Sequence, residues 1–377
     1  MKIKSILIEL TNSCQFNGCV YCSSNSVYLW ENRIVVDKDV LNKLLHEIVD
    51  LGVEEVEISG GEPITVLSLL TQCLDYLRNF DIKVKIFTNL IYHSAILEEK
   101  ILKRYKSSVA KIEFHFPLNT TDITIFSKLT RNDLEYMSKY MNFNKYEVLS
   151  DVLTIVCKNV KKIREYEYSV NIHFLVTKVN YMEYPKVIEF ANEMDIDTVS
   201  FLRLVKHGRA VKYWNVIEMD KQDWINFFKS LEKYLLEYYG KTVLRFGCPI
   251  NWFHLFPNHV RDILLVKKNL KLSFKCLGGV NHLCIVPTLD IYPCVGAKDF
   301  EVLKLGNYRK LNKLIDLFGT KEFENYLKLK EIYIDETCHN CPHYGRFCDS
   351  KCLVQKIIHN TKVDPLCKIL KEKYKNI

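Results

Sequence analysis

The sequence has little of what marks a fibrous, repeated or loosely linked chain: thirteen glycines and nine prolines in 377 residues, no internal repeat and no low-complexity linker. It also lacks a membrane signal. The opening stretch MKIKSILIELTNSC reaches polar Thr11, Asn12 and Ser13 too soon to span a bilayer, and it has no small-residue cleavage site. A cytoplasmic protein that makes no use of a membrane is expected. Nor is there a concentrated basic run. The formal charge of +8 is spread along the chain, and its densest stretches, 158–164 and 368–375, interleave lysines with apolar residues as solvated faces do. Nucleic acid is therefore not an expected partner. With 48% hydrophobic residues, the chain can bury one large domain with a smaller appendage.

What the sequence has in excess is cysteine, with fourteen in all. Three fall within the first 22 residues, eight between Cys276 and Cys367, and Cys73, Cys157 and Cys248 stand alone. In a reducing compartment, clustered thiols read as metal ligands or reactive groups before disulfides.

Short β-branched runs at 5–10, 55–59, 83–88, 111–116, 169–176 and 198–204 alternate with amphipathic stretches. Asp37 caps the first predicted helix and Gly52 ends it; others are expected at 66–79, 95–105, 132–140 and 184–194. Such alternation gives a parallel sheet with right-handed crossovers, and six units predict an open, partial barrel over 1–215. A bridge over 216–270, with one helix begun near Asp220 and closed by Gly240, leads to a cysteine-rich segment at 271–377 with little expected regular structure.

Cys14, Cys19 and Cys22 follow the first strand as C-x4-C-x2-C. Three thiolates on one loop can wrap a metal centre and leave one iron of a 4Fe-4S cluster without a protein ligand, where a substrate or cofactor can bind. On spacing alone, a zinc site or a set of buried thiols also remains open. The second strand ends in Gly60, Gly61, Glu62 and Pro63, at the carboxyl end, where parallel sheets gather ligand-binding groups. The glycines allow close approach to a ligand, and Glu62 offers a carboxylate to an ammonium group.

On these residues the sequence resembles the radical S-adenosylmethionine (SAM) enzymes, with a cysteine triad, an aromatic, Tyr21, before its third member, and a GGEP turn. The family usually has one residue fewer between the first two cysteines; here the extra one is expected to be absorbed at Asn17 and Gly18. The resemblance implies that SAM chelates the open iron, that the GGEP turn contacts its ammonium, and that its cleavage gives a 5'-deoxyadenosyl radical that abstracts hydrogen. By the same resemblance, Asn89, Asn119, Arg131 and Thr177, at later strand ends, are candidates for the SAM carboxylate and ribose.

Downstream, eight cysteines make two complete sets of four, for which zinc ribbons are the alternative reading because Cys338 and Cys341 suit zinc as well as iron. The array, with PTLDIYPC before Cys294 and the turn Leu305, Gly306, Asn307, resembles the SPASM extension of peptide-modifying radical SAM enzymes. The resemblance implies that Cys276, Cys284, Cys294 and Cys352 hold a nearer cluster and Cys338, Cys341, Cys348 and Cys367 an outer one. Leu289 stands where that family usually has glycine. The fold class expected is thus α/β, a partial (β/α)6 TIM-like barrel with a small cysteine-rich C-terminal SPASM domain, carrying three 4Fe-4S clusters and SAM.

Of the remaining cysteines, Cys73 on a helix face and Cys157 in a β-like run read as inert core residues, and Cys248 lies in a loop leading to the extension. No histidine is assigned to metal. The stretch His207, Gly208, Arg209, Ala210 resembles an ending found in relatives and is expected to close the barrel mouth.

The leading functional expectation is a maturase acting on a peptide or protein, fed by an electron donor such as a ferredoxin or flavodoxin. Because the chain starts at its first strand, leader recognition is expected to use another surface or a separate protein. Alternatives are an anaerobic sulfatase maturase, which Val295 after Cys294 disfavours because those enzymes carry an aspartate there, and tetrapyrrole or quinone-cofactor synthesis. A non-catalytic metal-binding or electron-transfer protein is the alternative from another class.

Overall fold

The predicted alternation folds, in a computed structural model that describes residues 2–28, 31–130, 148–247, 250, 252–350 and 352–374, around one eleven-stranded sheet. The strands are β1 (Ser5–Glu9), β2 (Glu55–Ser59), β3 (Lys83–Phe87), β4 (Lys111–Pro117), β5 (Ser169–Val176) and β6 (Thr198–Arg203), then β7 (Val243–Phe246), β8 (Leu270–Leu272), β9 (His282–Ile285), β10 (Asp290–Tyr292) and β11 (Gly306–Asn307). Their spatial order is β11-β10-β9-β1-β2-β3-β4-β5-β6-β7-β8. Neighbours from β9 to β8 all run parallel, while β10 and β11 are antiparallel. Strands β1 to β6 with their crossover helices form the expected partial TIM-like barrel.

The sheet does not stop where the six units stop. The bridging segment adds β7 and β8 beyond β6, and the cysteine-rich segment adds β9 against β1, with Leu7 opposite Cys284. That segment is therefore more regular than its sequence suggested. Its strands β9 to β11 are only two to four residues long and leave no long periodic signal. It also contains the helix Lys321–Ile332.

The first crossover helix, Lys38–Asp50, begins where the Asp37 carboxylate accepts from the Asp39 and Val40 amides, and buries Leu41, Leu44, Leu45 and Ile48. The helix Lys221–Glu237 carries a capping box between Asp220 and Asp223. Cys157 is a correction: it lies in the helix Val148–Glu165, not in a strand. The run Val152 to Val156 is rich in β-branched residues, yet Val152, Val156, Val160 and Ile163 are buried at helical spacing, and that face decides the structure. The helix expected at 132–140, Arg131 and Cys248 lie outside the described residues.

Parallel strands covered on both faces usually read as continuous apolar runs. Here they alternate. Val56, Ile58, Val84, Ile86, Ile112, Phe114, Val170, Ile172, Phe174, Val199 and Phe201 are buried on one face. The other face carries Glu57, Lys85, Glu113, His115, Asn171, His173, Ser200 and Arg245, so the concave side of the barrel is a polar lumen.

Candidate active site

The turn after β2 is stitched to the loop after β1. The Gly61 amide donates to the Thr11 carbonyl at 2.6 Å, and the Glu62 amide to the Ser13 carbonyl at 2.8 Å. Both glycines are required by this approach. A Cβ on Gly60, whose φ is 142°, would lie 2.4 Å from the Thr11 oxygen, and one on Gly61 only 2.1 Å from the Ser13 oxygen. Sequence reasoning gave these glycines to a ligand; the backbone they admit is that of residues 11–13, immediately before Cys14.

Glu62 is held by donors of the protein itself. Its carboxylate is fully buried and accepts from Thr88 Oγ1 at 2.8 Å, the Asn89 amide at 2.7 Å and the Ile64 amide at 3.2 Å. Burial pushes its pKa up to about 7 against those hydrogen bonds. It ties the end of β2 to the end of β3, while Pro63 starts the short helix that follows.

Cys14, Cys19 and Cys22 share one loop. Burial raises the Cys14 thiol well above its ordinary pKa, with the charges of Glu62, Cys19 and Cys22 adding to the effect; burial and the neighbouring Cys22 take Cys19 up to about 11. The loop is gripped by Arg209, which the sequence placed only at the barrel mouth. Its guanidinium donates to the Cys19 carbonyl at 2.8 Å, to the Ser26 carbonyl at 2.5 Å and to Asn17 Oδ1, which also accepts from Ser26 Oγ at 2.9 Å. Asn17 is buried, and the loop's left-handed backbone falls at Asn25 (φ 42°), not at Asn17 or Gly18, where the extra residue was expected to be absorbed. Gly208 (φ 55°) lets this clasp close, since a Cβ there would meet the Cys22 oxygen at 2.4 Å.

Tyr21, Asn89 and Asn119 meet Cys19 in the lining of a small cavity of about 60 Å³ beside the loop. Asn89 Nδ2 approaches Cys14 Sγ at 3.7 Å, and Asn119 Oδ1 accepts from the Leu175 amide at 2.8 Å. Thr177 is not brought there. Its amide and hydroxyl both donate to Asn180 Oδ1, at 2.8 and 2.7 Å, closing the turn after β5.

The later cysteines fall into two neighbourhoods that ignore chain order. Cys352 is raised by burial and then by the charges of Cys276 and Cys294, while Cys284 is raised by burial and, among lesser causes, by Cys294. Cys367 is pushed up to about 12 by burial, with Cys348 and Cys338 acting on it, and Lys371 Nζ lies 4.0 Å from Cys341 Sγ. Between these groups and the barrel run buried polar links. Arg203 at the end of β6 holds Asp364 at 2.9 and 3.1 Å, and Gln355 donates to the Leu204 carbonyl at 2.8 Å.

Lys298 and Glu9 are the site residues that sequence reading missed. Lys298, four positions after Cys294, reaches the Glu9 carboxylate at the end of β1, which also accepts from Ser24 Oγ at 2.9 Å beside the cysteine loop. The available signal was a lone acid closing the otherwise apolar strand Ser5–Glu9.

Among the described residues, no three Cys, His, Asp or Glu side chains converge as they would around a single ion. The donor sets are sulfur only, which suits iron-sulfur chemistry, and the raised thiols of Cys14, Cys19 and Cys294 stay protonated until a metal cation offsets the cost of charging them. The residues present therefore fit such a group.

A cysteine loop and a glycine turn at the carboxyl ends of a partial barrel define a radical SAM site, and the profile of the radical SAM superfamily matches residues 8–191, which contain both. The chain carries a radical SAM domain over those residues. That superfamily works with a 4Fe-4S cluster and SAM.

Among its relatives, the radical SAM cyclopropyl synthase TigE of Paramaledivibacter caminithermalis is 23% identical over 377 residues, covering 93% of this chain and 68% of its own. The PqqA peptide cyclase of Bradyrhizobium diazoefficiens is 22% identical over 340 residues, covering 89% and 78%. In fold, Streptococcus suis SuiB bound to S-adenosylmethionine superposes with a TM-score of 0.67 at 18% identity, over 97% of this chain and 77% of that one. anSMEcpe with bound AdoMet gives 0.68 at 17% identity, over 99% and 92%. No helix among the described residues is long and apolar enough to cross a membrane.

Proposed function

We propose that this enzyme modifies a peptide or protein substrate by hydrogen abstraction, as a maturase with three 4Fe-4S clusters. Cys14, Cys19 and Cys22 would hold the SAM-binding cluster, Cys276, Cys284, Cys294 and Cys352 a second, and Cys338, Cys341, Cys348 and Cys367 a third. With cluster and SAM bound, the cluster would supply the electron for SAM cleavage, and SAM the radical that would take hydrogen from the substrate.

The chain's own residues do the positioning. The stitch between residues 60–62 and 11–13 is the observation that carries the proposal, because it fixes the cysteine loop at the carboxyl ends of the strands, above the polar lumen. Arg209 holds the loop's carbonyls, Tyr21, Asn89 and Asn119 line the space beside it, and Lys298 closes it toward the second cysteine group. The peptide class is supported by the names of the PqqA peptide cyclases, and by SuiB, which has been solved bound to the precursor peptide SuiA. A ferredoxin or flavodoxin would supply the electrons.

The test is anaerobic reconstitution. About twelve irons per chain, four for each cluster, and 5'-deoxyadenosine formation that stops in C14A/C19A/C22A are expected. Bound zinc with no 5'-deoxyadenosine would overturn the proposal.

A further inference from the structure

At the opposite end of the sheet from the cysteine loop, the barrel lumen opens into a cavity of about 450 Å³. It is built from the first residues of the strands and from the turns that precede them, including Glu55 of β2, Lys83 of β3, Ser169 of β5 and Thr198 of β6. Ligand sites of parallel sheets lie at the other end, so this cavity belongs to no site described above.

The register aligns the polar side chains of the lumen, all but His173 in the cavity lining, in two rows. His115, Asn171 and Thr198 are paired across β4, β5 and β6; His173, Ser200, Arg245 and Lys271 are paired across β5, β6, β7 and β8. The acids of the lining are already matched. Glu55 pairs with Lys85 at 2.5 Å, Glu113 with Lys83 at 3.1 Å, and Asp195 and Asp197 with Arg164 at 2.9 and 3.0 Å. Lys241, Arg245 and Lys271 also line the cavity, and among the described residues none of them has an ion-pair partner.

A second observation points inward. Asn171 is only 5% exposed, and its Nδ2 donor has no hydrogen-bond partner. An unsatisfied buried donor costs about 1–3 kcal/mol, so one left in a cavity wall marks a place that an acceptor can fill.

From these residues we infer that the amino-end cavity is a binding site for a small oxyanion, a carboxylate or phosphate. The Arg245 guanidinium takes two of its oxygens, Lys241 and Lys271 supply countercharge, and Asn171 Nδ2 donates from the wall. Nothing in this inference depends on iron or SAM.

Isothermal titration of the full chain with inorganic phosphate and, separately, with succinate tests it and tells the two oxyanion types apart. One-site, saturable binding of either anion at 150 mM NaCl is expected. R245Q/K271Q should weaken it at least tenfold, N171L should weaken it measurably, and the distant K310Q should leave it unchanged. Should N171L fail to fold, the exposed pair Arg245 and Lys271 carries the test alone. Absence of saturable binding for both anions, or binding in R245Q/K271Q as tight as in the parent, overturns the inference.

Discussion

Lys298 Nζ lies 2.5 Å from Glu9 Oε1, with the two side chains only 6% and 4% exposed, and this pair joins the last residue of β1 to the segment that follows Cys294. Burying two charges is costly, and such a pair holds together because each satisfies the other and Ser24 adds a hydrogen bond. Removing one member strands its partner. K298M should therefore destabilise the protein by about 3–5 kcal/mol, whereas K298M/E9Q should recover most of that loss. Urea unfolding of the two single variants and the double variant closes the cycle, and additive losses would show that the pair is not coupled.

The stitch between the glycine turn and the cysteine loop predicts a sharp contrast between two glycine substitutions. G61A places a Cβ 2.1 Å from the Ser13 oxygen, a main-chain atom that cannot step aside, whereas a Cβ at Gly319 has nothing within 4 Å. G61A should lose SAM cleavage by about two orders of magnitude or fail to fold, the scale expected when a site is displaced by an ångström. G319A should keep parental 5'-deoxyadenosine formation in the same assay.

How much of this was legible in the sequence follows from where each signal is stored. Strands β1 to β6 and the helices Lys38–Asp50, Leu67–Leu77 and Tyr184–Glu193 announce themselves because periodicity is local, and Cys14, Cys19, Cys22 and the glycine turn are read from spacing. The 3.6-residue periodicity of Val152, Val156, Val160 and Ile163 was there to be read too, but the β-branched side chains around Cys157 masked it. Contacts made only by tertiary folding were not legible. Arg209 lies 190 positions from the Cys19 carbonyl it holds, and Lys298 lies 289 from Glu9. Nothing local distinguishes Lys298 from a surface cation, and the stretch around Arg209 pointed to the barrel mouth but not to the carbonyl it holds. The same is true of Glu62, whose carboxylate turns inward to Thr88 and Asn89 because the end of β3 presents donors there.

Leu289 occupies the position where the resemblance led to an expectation of glycine, and its φ of 67° shows why glycine suits it. The left-handed conformation costs a leucine about 1–2 kcal/mol. Yet the side chain is 1% exposed, and emptying such a site costs about 2–5 kcal/mol. Packing outweighs strain, so L289G should be less stable than the parent. It should nonetheless be more stable than L289A by about 1 kcal/mol, because alanine loses the packing and keeps the strain. Thermal unfolding of the three proteins gives the order, and L289A above L289G would contradict this account.

Acid should weaken the lumen in two separable steps. His115 Nδ1 and His173 Nε2 lie 2.9 Å apart. Burial holds His173 well below the ordinary histidine pKa, reinforced by the charges of His115, Lys85 and Arg245. Burial also lowers His115, against the opposing pull of Glu113 and Glu55 and with Lys85 assisting. Since the unfolded chain takes up protons near pH 6.5 that the folded chain refuses, stability from this pair is complete above about 6.5 and declines as pH falls. Glu113 titrates later. Against its own burial, hydrogen bonds from His115 and Lys83 bring it down to about 2, so its contribution is present above the unfolded value of 4.5 and is lost between there and about 2. Melting temperatures measured from pH 7.5 to 3 should therefore begin to fall below about 6.5, a decline that H115Q/H173Q flattens, and fall further below about 4.5, a decline that E113Q flattens. If both variants tracked the parent through both windows, the lumen's titration would have no part in its acid sensitivity.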